Sequence, residues 1–459
     1  MYRENHHIHF VGIGGIGMSG IAELLLHLGY SVSGSDLRSS ATTKRLQDLG
    51  ATIYEGHQAA SCAGASVVVT SSAVAEDNPE VVQAREDKIP VIPRAEMLAE
   101  LMRLKTFGIA VAGSHGKTST TSLIGCLLSQ TGFDPTIVVG GKVDSFGGNA
   151  KLGEGDFLVA EADESDGSFL KLSPVLEVVT NIDLEHLDYY TDIEHIKETF
   201  LSFIDKIPFY GAAIVCLDDE NVAAILPQVQ KRLITYGLTP QADVSADNLR
   251  FAAGRSTFRV RAAGEVLGEI SVFPSGTHNV YNALAAVAIG LELEIPFGKI
   301  ATALASFGGV QRRMQHKGEG KGITVIDDYA HHPTEIRASL KAIKETWPEK
   351  RLVVLFQPHR YSRTQALFEE FKTCFHQADC LIMTDIYEAS ESPIEGVSTE
   401  ILLEAIKAHG QRYTRHIPEI ASLATEVMPN LREGDLVVTL GAGNIVQAGE
   451  EICQLLGQE

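Results

Sequence analysis

Two glycine-rich turns, each set between an apolar run and a helical pattern, constrain the fold of this chain most strongly. The first turn spans residues 12–17 and follows the apolar run Ile8–Val11; the second spans residues 113–118 and follows Phe107–Ala112. A short apolar strand, a glycine turn and a helix begin a unit in which consecutive strands lie parallel. Two such beginnings, far apart in a chain of 459 residues, therefore predict two α/β domains.

The remaining pattern extends this prediction to three α/β domains in series. Alternating apolar and polar residues between Thr235 and Phe273 predict antiparallel hairpins attached to the second sheet. Further strands are predicted at Tyr30–Ser33, Thr52–Tyr54, Ser66–Thr70, Phe157–Ala160, Val178–Asn181, Ala212–Cys216, Ile323–Ile326, Leu352–Phe356, Cys380–Thr384 and Leu436–Leu440. Helices are predicted at Gly17–Leu28, Ala95–Leu104, Thr120–Leu128 and Asn279–Leu293. We place the joints near residues 105 and 310, which gives domains at 1–105, 106–310 and 311–459.

The composition excludes several classes of protein. Hydrophobic residues make up 44% of the chain and charged residues 21%, so the chain can bury several cores and is not disordered. The 59 acidic residues outnumber the 38 basic ones, and the resulting charge of −21 disfavours a nucleic-acid partner. The longest apolar stretch, Ala283–Leu291, is far shorter than the roughly 18 residues that a spanning helix needs, so we expect no membrane segment.

The start of the chain and its cysteines indicate a compartment. Residues 1–9 are polar and lead directly into the first predicted strand, unlike a signal peptide. The six cysteines show no C-x-x-C spacing and are expected to be free, mostly buried thiols in a reducing cytosol. We therefore predict a cytoplasmic protein, with the choice between monomer and dimer left open.

The first glycine turn has the pattern of a phosphate-binding loop. Its glycines are Gly12, Gly14, Gly15 and Gly17, which match G-x-G-x-x-G. Asp36 closes the next predicted strand, 24 residues after Gly12. Glycine lets the backbone approach a pyrophosphate, whose charge then faces the N-terminus of the following helix. We expect a nucleotide diphosphate here rather than a plain strand–helix turn; NAD is the commonest ligand of this pattern, and other diphosphates stay open.

The second glycine turn resembles a shortened P-loop. Its residues are Gly113, Ser114, His115, Gly116, Lys117 and Thr118, and Val111 stands where the full G-x-x-x-x-G-K-[ST] pattern has glycine. In such a loop backbone N–H groups surround the phosphates, the lysine neutralises the β and γ oxygens, and the threonine offers a hydroxyl to Mg²⁺. The loop therefore predicts ATP binding.

A carboxylate is expected beside this loop, because Mg²⁺ takes oxygen ligands in addition to phosphate. Phe157–Ala160 ends in Glu161, which makes Glu161 the first candidate for a metal ligand, with Asp163 and Glu164 as alternatives. His186 follows another predicted strand and would lie at the same edge of the sheet. It is either a second ligand or a structural histidine.

The third block carries charged and aromatic residues that follow predicted strands or lie at the joint. They are Arg313, Asp328, Tyr329, His331, His359, Arg360 and Arg363. Arg360 and Arg363 share one face if a helix begins there, and their guanidinium forks suit phosphate or carboxylate. The adjacent His331 and His332 point apart, which disfavours a zinc site.

Taken in order, these motifs resemble the Mur ligases of bacterial cell-wall synthesis. The resemblance covers the full length and rests on His9–Gly20, Gly113–Thr118, Glu161–Asp166, Asn181–Asp183 with His186, His278 with Asn279, Asp327–Pro333, and Phe356–Thr364. It implies a Rossmann-like N-terminal domain that binds a UDP-sugar, a central P-loop ATPase domain with antiparallel hairpins, and a Rossmann-like C-terminal domain that binds the amino acid.

The resemblance also implies roles for single residues. Gly12–Gly17 would hold the diphosphate, with Ser35, Asp36, His57 and Ser71 near the uridine. His278 and Asn279 match the motif at the adenine side of ATP, and Arg313 and Asp328 are further candidates for ATP binding. Tyr329 and His359 are candidates for substrate binding, and the catalytic candidates are Lys117, His186, His331, Arg360 and Arg363. Glu161 and His186 match the two metal positions of the family, whereas the carbamylated lysine of sister ligases has no equivalent that we identify.

The activity implied is a ligation that uses ATP and Mg²⁺. The carboxylate of UDP-N-acetylmuramate would take the γ-phosphoryl group, and the amine of L-alanine would attack the acyl phosphate to give an amide, ADP and phosphate. Three alternatives stay open at this point: an NAD-dependent oxidoreductase, a non-enzymatic P-loop regulator, and a sister ligase that uses a tripeptide or a folate. The first leaves the second loop unexplained, and the UDP-sugar domain disfavours the folate enzyme. Asp328–Pro333 is more similar to the alanine-adding members than to the tripeptide-adding ones.

Overall fold

The computed structural model describes residues 6–71, 73–143, 148–187, 189–389 and 391–457. It contains three β-sheets of five, ten and six strands, each with helices, as the α/β prediction requires. The chain divides into two compact units. One contains Met1–Asp247, Arg259–Ile270 and Tyr281–Phe307, and the other contains Asn248–Phe258, Ser271–Val280 and Gly308–Glu459.

The first sheet is entirely parallel, with the order β3-β2-β1-β4-β5. Its strands are β1 (His7–Val11), β2 (Ser31–Asp36), β3 (Thr52–Glu55), β4 (Val67–Thr70) and β5 (Val91–Pro93). Its helices are α1 (Ile16–His27), α2 (Ala41–Asp48), α3 (Pro79–Glu86) and α4 (Arg94–Met102). The strand order reverses between β1 and β4, and in parallel sheets ligands bind at the carboxyl ends of the strands beside such a reversal. The first glycine turn follows β1 and lies there.

The second sheet has the order β15-β14-β13-β12-β11-β10-β6-β9-β7-β8. Its strands are β6 (Phe107–Ala112), β7 (Thr136–Val143), β8 (Gly148–Lys151), β9 (Phe157–Glu161), β10 (Leu176–Val179), β11 (Ala212–Cys216), β12 (Leu233–Gly237), β13 (Val244–Ala252), β14 (Arg255–Ala262) and β15 (Glu265–Val272). Its helices are α5 (Lys117–Gln130), α6 (Ile193–Ile204), α7 (Glu220–Ile225), α8 (Thr277–Glu292) and α9 (Phe297–Ala305). Because β6 lies between β9 and β10, the three segments that follow these strands meet at one edge.

The hairpin prediction for residues 235–273 is confirmed in β13, β14 and β15. Ala253-Gly254 and Ala263-Gly264 join these strands, and a two-residue connection joins only antiparallel neighbours. All four turn residues have positive φ, between 50° and 80°, which suits the twist of a tight hairpin.

The third sheet has the order β16-β17-β21-β18-β19-β20 and is parallel except for β16, which runs antiparallel to β17. Its strands are β16 (Gln315–Gly320), β17 (Ile323–Asp328), β18 (Arg351–Phe356), β19 (Cys380–Met383), β20 (Thr414–His416) and β21 (Asp435–Leu440). Its helices are α10 (Pro333–Thr346), α11 (Tyr361–Ala366), α12 (Phe368–Phe371), α13 (Thr399–Ala408), α14 (Ile420–Val427) and α15 (Val446–Gly457). The strand β21 is buried throughout, as expected for a strand covered on both faces.

Two predicted boundaries at the second glycine turn were wrong. The helix predicted to begin at Thr120 begins at Lys117, because Gly116 adopts a left-handed conformation (φ 82°) and starts the helix within the turn. The strand predicted at Val178–Asn181 is Leu176–Val179 instead. It ends early because Thr180 and Asn181 turn to bond the backbone of His115. The joints near residues 105 and 310 stay predictions, although no sheet spans either position in the part of the chain that the structure describes.

Candidate active site

The first glycine turn is braced by the strand next to it. The backbone N–H groups of Gly12 and Ile13 both donate to the carbonyl of Ser35 at 2.9 Å, and the N–H of Gly14 donates to Asp36 Oδ2 at 2.8 Å. Asp36 therefore fixes the shape of the turn in this structure. The turn leads into α1 at Ile16, and the N-terminus of a helix attracts an anion through its first N–H groups and its dipole.

A buried polar network lies beneath the predicted uridine end. Ser35 donates to Glu80 Oε2 at 2.6 Å and bonds His57 Nδ1 at 2.9 Å. Glu80 is fully buried and also accepts from the N–H of Gln58 and from His9 Nε2, at 3.1 and 3.4 Å. Burial raises the pKa of Glu80, but the hydrogen bonds from His9 and Ser35 more than offset this and hold its net pKa below the usual value. Sequence reasoning missed Glu80, because an acid in the first turn of a helix is typical of an exposed position.

Lys117 lies inside the second glycine turn. Its Nζ donates to the carbonyls of Gly113 and Ser114, at 2.6 and 3.1 Å, and to Glu164 Oε1 at 2.7 Å. Burial lowers the pKa of Lys117, but the charges of Glu164 and Glu161 more than offset this, and the net pKa is raised. Lys117 is therefore a fixed positive charge at neutral pH, as phosphate binding requires.

The segment after β10 supports the second turn. Asn181 Oδ1 accepts from the N–H of His115 at 2.8 Å, and Thr180 Oγ1 donates to the carbonyl of His115 at 2.6 Å. His115 Nε2 also contacts Asp183 Oδ2 at 2.9 Å. The turn approaches this segment so closely that a Cβ on Gly113 would lie 2.0 Å from Thr180 Oγ1. Glycine is therefore required at that position.

Thr118 and Glu161 form a donor set that suits Mg²⁺. Thr118 Oγ1 lies 3.0 and 3.1 Å from the two carboxylate oxygens of Glu161, and Glu161 Oε2 accepts from the N–H of Gly140 at 2.7 Å. A hydroxyl and a carboxylate beside a phosphate-binding loop are the oxygen ligands that Mg²⁺ takes. Of the two alternatives, Asp163 pairs with Arg94, whereas Glu164 pairs with Lys117 through Oε1 and belongs to a second group of donors.

A second donor set involves His186. One ligand atom each of Glu164, Glu185 and His186 lies within 4.8 Å of the others. Glu164 Oε2 is buried and has no hydrogen-bond partner among the described residues, which fits a cation between these groups. His186 has a positive φ of 56°, a strained conformation for histidine that points to a functional constraint. Burial lowers the pKa of His186, but Glu164 and Glu185 raise it by more. Glu185 was not predicted, because the sequence does not show that it lies close to Glu164, which follows a different strand.

Both glycine turns line one cavity of about 340 Å³. Its lining residues are Gly12, Gly15, Ile16, Gly17, Met18, Ser71, Arg94, Leu98, Lys117, Val138, Val139, Gly140, Glu161 and Asp163. Residues of the two turns, Ser71 and Glu161 thus line the same cavity, and their roles there stay predictions. Arg94 was not among the predicted residues.

The second compact unit holds the other candidates. Asn279 Nδ2 lies 3.0 Å from His278 Nε2, which accepts if that nitrogen carries no proton. Burial lowers the pKa of His278 to about 4, and the charge of Arg313 contributes to this shift, so the ring is neutral at physiological pH. Arg313 pairs with Glu335 at 3.3 Å and lies over the ring of Tyr329 at 5.3 Å.

Asp328 and His331 occupy the segment after β17. Asp328 accepts from the N–H groups of Met314 and Ala330, each at 2.8 Å, and burial raises its pKa to about 6 despite these bonds and Arg313. His331 Nδ1 lies 2.9 Å from the carbonyl of Tyr329. Backbone contacts therefore hold both side chains in place after the strand.

Arg360 and Arg363 flank the start of α11. Arg363 Nη1 lies 3.1 Å from His359 Nδ1, and His359 stacks on Tyr387 with 5.5 Å between ring centroids. Burial lowers the pKa of His359 to about 3, and the nearby His331 and arginines contribute to this shift. Arg360 has φ 70° and ψ 139°, a region that residues other than glycine rarely adopt. Its Nε is buried without a hydrogen-bond partner in the described part of the chain.

Comparison with known proteins agrees with this geometry. Three family models match in series: the Mur ligase family catalytic domain at residues 7–106, the Mur ligase middle domain at 111–290, and the Mur ligase glutamate ligase domain at 312–443. The chain belongs to the Mur ligase family. Among Mur ligases it is 60% identical to the UDP-N-acetylmuramate–L-alanine ligase of Geobacter sulfurreducens, over 98% of this chain and 97% of that one. It is 59% identical to the enzyme of that name from Syntrophotalea carbinolica, over 100% of both chains.

Solved structures of Mur ligases have the same fold. The UDP-N-acetylmuramate–alanine ligase of Thermotoga maritima matches with a TM-score of 0.83 and 29% identity over 98% of both chains. The murein peptide ligase of Psychrobacter arcticus matches with a TM-score of 0.72 and 23% identity over 99% of both chains, which shows a shared fold.

Two further predictions concern the chain as a whole. All six cysteines are free, four of them buried and two partly buried, as the sequence analysis predicted. None of the helices in the ranges that the structure describes has the length and apolar composition needed to cross a bilayer.

Proposed function

We propose that this Mur ligase joins L-alanine to UDP-N-acetylmuramate at the expense of ATP. The observation that carries the proposal is the cavity lined by both phosphate-binding turns, because it gives a sugar nucleotide and the γ-phosphate of ATP a common place to meet. The relatives named for this reaction match over nearly the whole chain. An oxidoreductase would leave the P-loop and Lys117 without a role.

The chemistry follows from the poor reactivity of a carboxylate toward an amine. Phosphoryl transfer from ATP converts the carboxylate into an acyl phosphate, and the amine of L-alanine then displaces phosphate to form the amide. In this scheme Lys117 holds the γ-phosphate and balances its negative charge, while backbone N–H groups of the P-loop orient the phosphates. Preorganised charge of this kind acts most strongly where water is excluded.

Mg²⁺ fits the donor sets at this site. Thr118 and Glu161 would hold one ion, and His186 with Glu164 and Glu185 would hold a second. When bound, Mg²⁺ supplies positive charge to the phosphate oxygens. The protein's own contribution is to fix these donors, as the Gly140 N–H does by donating to Glu161 Oε2.

The second compact unit would supply the adenine and amino-acid ends. We propose that His278, Asn279, Arg313 and Asp328 contact ATP and that Tyr329 and His359 contact substrate. We propose that His331, Arg360 and Arg363 act on the reacting groups when the third domain closes on the second. The domain division at 105 and 310 and a cytoplasmic location, which suits six free thiols, belong to the same proposal.

The experiment is a phosphate-release assay with UDP-N-acetylmuramate, ATP and Mg²⁺ against a panel of acceptors. Release that depends on L-alanine, with formation of the amide product, supports the proposal. A tripeptide in the panel tests the sister activity, and glycine and L-serine test strictness. Release with the tripeptide but without L-alanine would replace the proposed acceptor, and no release with any acceptor would exclude ligase activity.

A further inference from the structure

Arg94 lies where the two phosphate-binding turns face one cavity. It is the first residue of α4 and directly follows β5, so it lies at the carboxyl edge of the first sheet, the edge that carries the first glycine turn. Its side chain is 26% exposed and lines the cavity.

The guanidinium contacts both sides of that cavity. Nη2 donates to Asp163 Oδ2 at 2.6 Å, in the segment that follows β9. Nη1 lies against Gly17, where a Cβ would be only 2.7 Å away. A residue larger than glycine would therefore push Arg94 away from the start of α1.

The cavity has too little positive charge for a diphosphate unless Arg94 contributes. The first turn, Gly12–Gly17, contains no cation, whereas the second turn has Lys117. Lys117 is paired with Glu164, and the cavity also contains the carboxylates of Glu161 and Asp163. A diphosphate entering such a site needs a further positive charge.

We infer that Arg94 is a diphosphate-binding residue that completes the first glycine turn. This inference rests on the proposed function, because it assumes a sugar nucleotide at that turn. The guanidinium fork binds phosphate oxygens with two parallel hydrogen bonds, and the N–H groups at the start of α1 bind from the other side. Asp163 then competes with the diphosphate for Arg94.

This competition gives two substitutions opposite effects. Arg94→Ala weakens UDP binding roughly ten- to hundredfold, because a charged hydrogen-bonding group is lost. Asp163→Asn leaves UDP affinity equal or higher, since it removes the competing carboxylate. If the ion pair only held the two segments together, both substitutions would weaken UDP binding alike.

The experiment is calorimetric titration of UDP, UMP and UDP-N-acetylmuramate, without ATP or Mg²⁺, into the parent, R94A, R94K, D163N and R103A. Arg103 is the matched control, because it is an exposed arginine just past the other end of α4. We expect R94A to lose affinity for UDP and UDP-N-acetylmuramate equally, R94K to recover part of it, and UMP affinity to change less. Circular dichroism melting checks that each variant is folded.

Three outcomes would overturn the inference: unchanged UDP affinity in R94A, a loss confined to UDP-N-acetylmuramate, or equal losses in R94A and D163N. The parent enzyme's L-alanine-dependent phosphate release is measured in parallel. Active parent enzyme with unaltered R94A binding refutes the role of Arg94 alone, whereas a parent without that activity refutes the proposed function.

Discussion

At the scale of single residues, substitution of Lys117 tests whether the two proposed nucleotide sites are independent. Its contacts are to the P-loop and Glu164, and the first glycine turn does not depend on them. We therefore expect Lys117→Ala to abolish phosphate release, while calorimetric affinity for UDP-N-acetylmuramate changes by no more than about twofold. Lys197→Ala, which removes a surface pair on α6, is the control and should retain activity. Lost sugar-nucleotide affinity with intact turnover would contradict the assignment of two sites.

Glu177 is a buried acid that the proposed mechanism does not use. It lies in β10 between Ala110 and Ala213, and neither carboxylate oxygen has a hydrogen-bond partner among the described residues. Burial, with a smaller contribution from Asp205, raises its pKa well above 4.5. The unfolded carboxyl loses its proton near pH 4.5 while the folded one keeps it, so the free energy of unfolding falls as pH rises above that value.

Glu177→Met removes both the buried polar group and its titration. We expect it to raise the free energy of unfolding at about pH 8 by about 1–3 kcal/mol and to flatten the pH dependence above about pH 5. Urea unfolding at several pH values measures both effects. An unchanged pH slope in the variant would show that Glu177 does not titrate in this window.

Single residues also show where prediction from the sequence stops. Lys117, Thr118 and Glu161 were predictable because a motif or a strand end marks each of them. Glu80 carries no such mark, and Arg94 follows the three-residue strand β5, which the sequence pattern did not predict. Each lies in the first turn of a helix, directly after a proline. The partners that reveal their roles are distant in the sequence: Asp163 for Arg94 and Ser35 for Glu80.

At the scale of elements, apolar runs predicted the buried parallel strands, because strands covered on both faces are continuously hydrophobic. The strand Phe107–Ala112 was predicted to the residue. The strand β7 was missed, since Gly140 and Gly141 interrupt its apolar pattern. The early start of α5 and early end of β10 were missed because contacts within the P-loop decide them, and these override local propensity.

Substitution by alanine should change the free energy of unfolding in opposite directions at two glycines, one in the P-loop and one in a helix. Gly113 has φ 130° and no room for a Cβ beside Thr180, so Gly113→Ala should lower the free energy of unfolding by more than about 1 kcal/mol and weaken ATP binding. Gly298 lies in α9, and a Cβ there would meet no atom within 4 Å, so Gly298→Ala should stabilise by about 0.5–1 kcal/mol. Thermal melts and ATP titrations of both variants test this contrast; equal shifts would contradict it.

At the scale of the whole molecule, the proposed reaction divides its charges between the central and third domains. Arg360 is held in a strained backbone conformation next to α11, which fits a residue positioned for the reacting groups. We expect Arg360→Lys to lower kcat by about ten- to hundredfold, because a fork is replaced by a point charge, while ATP affinity changes little. Phosphate release and equilibrium ATP binding on the same variant measure the two quantities.

The control for Arg360 is Arg337→Lys, which alters an arginine that bonds the carbonyl of Glu370 and the hydroxyl of Thr373. That variant should retain kcat. Equal losses of turnover and ATP affinity in Arg360→Lys would place Arg360 in the ATP site before closure, and full turnover would remove it from the mechanism.

The strand order of the third sheet has a consequence for synthesis on the ribosome. The first sheet is complete once Pro93 has emerged, because its strands are consecutive in the chain. In the third sheet the last strand to be made, β21, occupies the centre and pairs with both β17 and β18. Those two strands are therefore translated early, and one edge of each stays unpaired until residues 435–440 have been synthesised. Unpaired edges expose the nascent chain to misassembly.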